Sequence, residues 1–166
     1  MPLFGIGDVE PQLADGAWRI YVFAGDEDPT SASSRTRKLC EFLASDASPV
    51  TRFTPAGAEP DSVIDVRAVF QQAHRELAIA AMPSLLLPRK GRYGLCDYEK
   101  MFCPDLKAGH DIFALRGIDR DKGCMVVVRP DQYVAHVLPL DAHAELAAFF
   151  DGFMMCSERK AGAQPG

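Results

Sequence analysis

The last third of the chain carries the pattern that most restricts its fold: two strands joined by a tight turn and followed by an amphipathic helix. Cys124–Arg129 is an apolar, valine-rich stretch typical of a strand, and Tyr133–Leu138 predicts a second strand. Pro130 and Asp131 favour a turn between them, since proline presets φ and aspartate tolerates the bend. Asp141 is then a candidate helix N-cap. The apolar residues that follow recur at helical spacing and predict one buried face: Leu146, Phe149, Phe150, Phe153 and Met154.

The first half of the chain predicts a β-α-β unit. Trp18–Ala24 is almost wholly apolar, as is typical of a strand inside a sheet. A helix capped by Ser33 or Ser34 should run to about Ala44, and Val63–Phe70 should form the next strand. The crossover between two such parallel strands is expected to be right-handed.

The middle of the chain carries weaker patterns. Ser48–Asp61 is rich in Pro, Ala and Gly and predicts a loop, while Glu76–Met82 predicts a short helix. Pro83–Gly109 is irregular, and His110–Leu115 predicts one or two helical turns that Gly117 ends. The order β, α, β, irregular, short α, β, β, α predicts an α/β, thioredoxin-like fold, with a mixed central sheet and flanking helices in a single domain.

Composition agrees with one globular domain and excludes several functions. The hydrophobic content of 48% and the charged content of 25% are ordinary. We expect the domain to occupy residues 17–156, with a lead-in at 1–16 and a flexible tail at 157–166. The net charge of −5 argues against nucleic acid and against an anionic membrane surface. With no apolar run near the roughly 20 residues of a membrane helix and no signal-like N-terminus, the predicted location is cytoplasmic.

The residues that would make this fold a redox catalyst are missing. Such an enzyme places a nucleophilic cysteine in the first helical turn after the first strand, where the thiol pKa is lowered, and a proline just before the hairpin. Ala24–Arg35 contains no cysteine, and Gly123-Cys124, where the proline would be expected, contains no proline. The five cysteines are odd in number, and none are spaced C-x-x-C. A stand-alone thioredoxin- or peroxiredoxin-like enzyme using Cys40 or Cys124 is the first alternative function.

Other site patterns fail their spacing tests. Cys96, Cys103, His110 and Cys124 lack the close ligand pair of a structural zinc site, so we predict no metal ligand. Gly5-Ile6-Gly7 has neither a third glycine nor a preceding strand, which excludes a dinucleotide fingerprint. We therefore predict no catalytic residue and no cofactor bound by this chain. A second alternative is a module that binds a small aromatic ligand, with the irregular segment 83–109 as a pocket wall.

Association with another protein surface is the remaining prediction from the residues. Both hairpin strands carry apolar residues on two faces, and a domain with too few helices leaves one face for a partner to cover. We predict an interface along this sheet or the last helix. Its candidate residues are Val126, Val128, Tyr133, Val137 and Phe150. The basic turn Arg89–Tyr93 is a solvated loop by default, and contact with an acidic surface or a phosphate is its functional alternative.

Several segments resemble one enzyme family. At the C-terminal side these are Gly117–Asp131 (GIDRDKGCMVVVRPD), Gln132–Leu140 (QYVAHVLPL) and Leu146–Met154 (LAAFFDGFM); upstream they are Trp18–Phe23, Arg52–Ala56, Val63–Phe70 and Leu87–Lys100. Together they resemble the C-terminal domain of flavin-dependent aromatic-ring hydroxylases of the phenol 2-monooxygenase and 3-hydroxybenzoate 4-monooxygenase family.

The resemblance implies a thioredoxin-like domain without redox cysteines that serves in subunit association. In the parent family, FAD and NAD(P)H are used by other domains, whose sequences have no counterpart here. No catalytic or FAD-binding residue is therefore carried over to any position. The resemblance implies a chain that is non-catalytic alone and that forms a homodimer or joins a hydroxylase subunit.

Overall fold

The computed structural model describes residues 16–73, 75–103 and 111–155, and these contain a five-stranded mixed sheet. Its strands are β1 Trp18–Phe23, β2 Ile64–Val69, β5 Met101–Phe102, β6 Cys124–Val128 and β7 Val134–Leu138. In spatial order they are β5, β2, β1, β6 and β7. β1 pairs in parallel with β2, and β2 with β5, whereas β6 runs antiparallel to both β1 and β7. The predicted mixed α/β sheet is confirmed.

Two helices lie between β1 and β2, where one was predicted. Helix α1 (Arg35–Ala44) begins after Ser34, whose hydroxyl accepts the Arg37 backbone N–H at 3.4 Å. Helix α2 (Pro49–Phe53) falls inside the stretch predicted as a loop, so that prediction was wrong there. A proline at the first helical position loses no hydrogen bond, and Ser48 caps the turn through the Thr51 N–H, so proline here starts a helix.

The main core lies between one face of the sheet and helices α1, α2 and α4 (His143–Asp151). Alternate residues of each strand point to this face, as strand periodicity requires. Its fully buried residues include Ile20, Leu39, Leu43, Ile64, Met125, Leu146 and Phe150. Each such side chain contributes about 2 kcal/mol through removal of apolar area from water.

The opposite face of the sheet holds a smaller apolar cluster. Phe23, Val69, Val126 and Val128 lie on it, covered by the short helix α3 (Ile112–Arg116). Helix α3 ends at Gly117, which has a φ of 63°, as the sequence predicted. Because α3 has only five residues, it covers the part of this face near β1 and β2 and leaves the β7 side open.

Three boundary predictions were wrong. Asp141 is not the cap of α4, because the helix starts two residues later and its N-cap is Ala142, with no side-chain hydrogen bond. The helix ends at Asp151, so Phe153 and Met154 follow it. The helix predicted at Glu76–Met82 is reduced to a single 3₁₀ turn at Ile79–Ala81.

The irregular middle segment contains a small hairpin. Strands β3 (Arg89–Lys90) and β4 (Leu95–Cys96) pair antiparallel and form a two-stranded sheet of their own. Gly91 and Gly94 supply the positive φ angles of the connecting turn, 69° and 58°. Residues 1–15 of the predicted lead-in (1–16), the predicted tail (157–166) and residues 74, 104–110 and 156 lie outside the described part of the chain.

Candidate association surface

The place where a thioredoxin-type enzyme would hold its reactive groups is closed by contact between two loops. A Cβ atom on Gly25, in the loop after β1, would lie 2.8 Å from the carbonyl oxygen of Asp121. A Cβ atom on Gly123, just before β6, would overlap the carbonyl oxygen of Phe23. The loop backbones approach too closely for any side chain at either position.

Hydrogen bonds tie the same two loops together. The Gln71 amide donates to the carbonyl oxygens of Ala24 at 3.0 Å and Arg120 at 2.6 Å. Arg35 pairs with Glu27 at 2.9 Å and donates to the Asp121 carbonyl oxygen at 3.0 Å. The backbone N–H and guanidinium of Arg35 lower the pKa of Glu27 against a smaller opposing effect of burial. These side chains are engaged in contacts between the two loops, so they hold the loops against each other.

The described cysteines are poorly placed for redox catalysis. Cys40 is fully buried on α1, and burial, with a smaller effect of Glu41, raises its pKa to about 12. Burial also raises the pKa of the Cys103 and Cys124 thiols. Since the thiolate is the nucleophile, these shifts oppose the alternative that Cys40 or Cys124 drives a redox reaction.

Cys96, Cys103, His110 and Cys124 are the four residues weighed above as zinc ligands. Within residues 16–73, 75–103 and 111–155, no group of three or more His, Cys, Asp or Glu side chains is placed to hold a metal ion. His110, one of the four residues weighed for zinc, lies outside these ranges.

Three exposed apolar side chains lie on β7 and the turn before it. Tyr133 is 60% exposed, Val137 56% and Val134 41%. Val134 and Val137 stand opposite Val128 and Val126 in the β6–β7 register, so both lie on the face that α3 leaves open. We name Tyr133, Val134 and Val137 the β7 patch.

The five residues predicted for an interface divide into two groups. Tyr133 and Val137 belong to the exposed β7 patch. Val126, Val128 and Phe150 are buried within the chain, so a partner docked on this surface would not reach them without rearrangement. Phe150 instead packs edge to face against Trp18, with ring centroids 5.5 Å apart. The interface role of all five residues stays a prediction. Because Val126, Val128 and Phe150 are buried, Tyr133 and Val137 are the remaining candidates.

The free edge of β7 is poorly suited to pairing with another strand. The β6–β7 register shifts between Val127 and Val128, leaving an extra residue at Ala135 in β7. The Val137 N–H donates to Nδ1 of His136 at 3.1 Å. Bulges and occupied N–H groups are how natural sheets protect their edges, so side chains rather than backbone are the accessible contact groups here.

The sequence reasoning missed a buried ionic cluster at the other end of the parallel strands. The Lys100 ammonium lies 2.5 Å from both Asp61 and Asp65, and Lys90 pairs with Asp61 and, at 2.8 Å, with Asp97. Burial alone would raise the pKa of Asp61, but hydrogen bonds from both lysines hold it below its usual value. The charges of Asp65 and Arg67 were visible on one strand face, yet nothing local indicated Lys100, which lies 35 residues from Asp65.

The segment weighed as a pocket wall for an aromatic ligand lines polar grooves. One groove of about 400 Å³ is bordered by Lys90, Asp97, Glu99 and Lys100. A second, of about 340 Å³, lies between Pro83–Leu85 and Arg37 and Glu41 of α1. Binding sites for aromatic rings are mostly apolar, so neither groove favours that function.

Fold and site together define a class: a thioredoxin-like domain whose redox position is closed and whose exposed edge strand is apolar. A solution structure of a thiol:disulfide interchange protein from Bacteroides sp. shares the fold, with a TM-score of 0.52 and 12% identity over 88% of this chain and 78% of that one.

The sequence matches the family described as phenol hydroxylase, C-terminal dimerisation domain, over residues 10–158, and the chain belongs to this family. It is 56% identical to a 3-hydroxybenzoate 4-monooxygenase from Comamonas testosteroni over 92% of its own length. It is 35% identical to the FAD-dependent monooxygenase terD from Aspergillus terreus over 85% of its length. The chain spans about a quarter of each of these relatives (25% and 24%). The resemblance seen in the sequence is confirmed.

Among the residues described, no helix has the length and apolar character needed to cross a bilayer.

Proposed function

We propose that this chain acts as the self-association domain of a flavin-dependent aromatic-ring hydroxylase, with a second copy of itself as partner. The family match supports association, and the relative named 3-hydroxybenzoate 4-monooxygenase supports a hydroxybenzoate or related phenol as substrate of the parent enzyme. FAD and NAD(P)H are cofactors of the parent's other domains, and this chain contributes no residue to them. The cytoplasmic location and the domain limits 17–156 remain predictions.

The observation that carries the proposal is the β7 patch. Two valines of the edge strand β7 and the tyrosine just before it are exposed, next to valines that are already buried. Apolar contact removes about 25 cal/mol per Å² from the free energy of the pair, and aromatic residues such as Tyr133 are enriched in the centres of interfaces. The protected edge of β7 favours two copies packing face against face over one continuous sheet.

Substitution of the β7 patch tests the proposed interface. Val137→Asp places a charge on the contact face, and desolvating it should weaken self-association at least about tenfold. Leu115→Asp is the matched control, because Leu115 is 64% exposed on α3, outside the β7 patch. Light scattering across a concentration series measures both variants. Equal association of Val137→Asp and the wild type would contradict this location of the interface.

A hydroxylase subunit is the alternative partner, and mixing separates it from a second copy. The wild-type chain is combined with full-length 3-hydroxybenzoate 4-monooxygenase, and the masses of the complexes are measured. If the chain associates with itself, it forms homodimers at the same concentrations when the hydroxylase is left out. If the chain forms complexes only when the hydroxylase is present, its partner is a hydroxylase subunit and the proposed homodimer is contradicted.

A further inference from the structure

The turn that joins β6 to β7 carries a charged pair beside the β7 patch. The Arg129 guanidinium donates to Oδ2 of Asp131 at 2.6 Å, and the other carboxylate oxygen, Oδ1, accepts the Tyr133 N–H at 3.4 Å. The Arg129 side chain is 54% exposed and the Asp131 side chain 47%. One cation and one anion are therefore exposed to solvent next to the tyrosine of the β7 patch.

The backbone of this turn is held in one conformation. The Arg129 N–H donates to the Tyr133 carbonyl oxygen at 2.8 Å, and the Gln132 N–H donates to the Arg129 carbonyl oxygen at 2.9 Å. Pro130 restricts its own φ, and Gln132 has a φ of 71°, which residues other than glycine seldom adopt. A surface that is already ordered loses little conformational entropy when it is covered. The turn therefore presents its two charges and the tyrosine in a preset arrangement.

The charged pair contributes little to the stability of the single chain. Both side chains are about half exposed, and water screens ion pairs of this kind. Exchanging one partner for an equivalent group on another surface therefore costs the chain little. The same charges attract each other more strongly once an interface excludes water from them.

The other charged side chains of this region are buried or lie at the far end of the strands. Within residues 124–138, which comprise β6, the turn and β7, the pair contributes the only Asp, Glu, Lys or Arg residues. Lys122 precedes β6 and Asp141 follows β7, so both stand at the opposite end of these antiparallel strands. Arg116 belongs to α3, which packs against Phe23 at that same end. On β1, Arg19 shares the sheet face with the patch but is 1% exposed.

A rim with one charge of each sign is complementary to itself. In a two-fold symmetric dimer, a surface meets its own copy and every contact occurs twice. A rim of a single sign would repel its copy, whereas Arg129 of one copy can pair with Asp131 of the other in both directions. Complementary charges of this kind fix the register of an interface and suppress wrong partners.

We propose that Arg129 and Asp131 determine the specificity of self-association, with Arg129 of each copy pairing with Asp131 of the other. The pairing presupposes the proposed self-association and places the turn near the two-fold axis. Tyr133, Val134 and Val137 supply apolar contact, and the two reciprocal ion pairs select a second copy of this chain over other apolar surfaces.

Charge reversal tests the reciprocal pairing. Arg129→Asp leaves two acidic groups on each copy and Asp131→Arg two basic ones, so each variant alone should self-associate at least about tenfold more weakly than the wild type. An equimolar mixture restores opposite charges, so heterodimers should form within about threefold of the wild-type affinity. Sedimentation velocity measures each variant alone. Native mass spectrometry separates the heterodimer from both homodimers, because the two variants differ in mass.

Three controls accompany the reversals. Lys122→Asp changes the net charge by the same amount as Arg129→Asp, at the far end of the strands, and should leave self-association unchanged. Asp131→Arg moves the net charge of −5 towards zero, so general repulsion does not account for its weaker association. The double variant Arg129→Asp/Asp131→Arg restores the pair in reversed order and should associate like the wild type. Thermal unfolding followed by circular dichroism confirms that each variant is folded.

The possible results separate the reciprocal pairing from the interface itself. Reversals that leave self-association unchanged, while Val137→Asp weakens it, overturn the pairing and leave the β7 interface intact. Weak single variants whose mixture is equally weak also overturn the pairing, because the charges then act without meeting across the axis. An equal loss in Lys122→Asp would assign the effect to net charge and contradict the pairing. A wild type that stays monomeric at every concentration overturns the self-association and the pairing together.

Discussion

At the scale of single residues, the buried ionic cluster is the most consequential arrangement in the molecule. The Lys100 side chain is 4% exposed, and its ammonium pairs with both Asp61 and Asp65. Removing one member of a buried ionic group leaves a desolvated charge without its partner, which costs more than the group itself contributes. The cluster therefore fixes where the segment before β5 meets the start of β2.

We expect Lys100→Met to lower the free energy of unfolding by about 2 kcal/mol, because it removes a buried partner of both carboxylates and leaves Asp61 to Lys90 and Asp65 to Arg67. Lys90→Met is the matched control. The Lys90 side chain is 30% exposed, so the same change there should cost only about 1 kcal/mol. Urea denaturation followed by circular dichroism measures both. Equal losses in the two variants would contradict the argument from burial.

The Cys40 thiol offers a second residue-scale test. With a pKa of about 12, its thiolate fraction at pH 7 is on the order of one in 10⁵. We expect Cys40 to resist alkylation by iodoacetamide in the folded protein and to react fully in urea, with peptide mass spectrometry as the readout. Rapid alkylation of folded Cys40 at neutral pH would revive the redox alternative.

At the scale of elements, the contact between the loops before α1 and before β6 fixes how the two halves of the sheet join. Gly117 and Gly123 have the same φ of 63°, but only Gly123 faces backbone atoms at close range. Comparing alanine substitutions at these two glycines separates the free-energy cost of the left-handed backbone conformation from the cost of the close contact.

Gly117→Ala should therefore cost about 1 kcal/mol, the conformational strain alone. Gly123→Ala should cost at least about 2 kcal/mol more, because its Cβ atom forces the loops apart. Thermal and urea unfolding of the two variants give the difference. Similar stabilities would show that the loops separate without penalty.

The same elements show how far sequence reasoning reaches. Strands β1, β2, β6 and β7 and helix α1 were predictable because apolar periodicity and a serine cap are local signals. Helix α2 was missed because Pro49 indicates a break unless Ser48 is recognised as its cap. Lys100 was missed because its partners are distant in sequence. The exposure of Tyr133 and Val137 could be anticipated, whereas the burial of Val126 and Val128 depends on where α3 packs.

At the scale of the whole molecule, a thioredoxin-like fold is combined with exposed apolar surfaces. One end of the sheet, where redox chemistry would sit, is closed by glycines and hydrogen bonds. The open surfaces lie elsewhere: the β7 patch on one edge and the β3–β4 hairpin, with Tyr93 and Leu95 exposed, at the opposite end of the parallel strands. This distribution supports the proposed role of the domain in self-association.

Sedimentation velocity of the wild-type chain over a wide concentration range tests this account most directly. The proposed self-association predicts a reversible change from a species of 18.1 kDa to one of twice that mass as the concentration rises. The concentration at which this change occurs should be higher for Val137→Asp but unchanged for Leu115→Asp. A wild-type chain that remains a single 18.1 kDa species at every concentration would contradict the account.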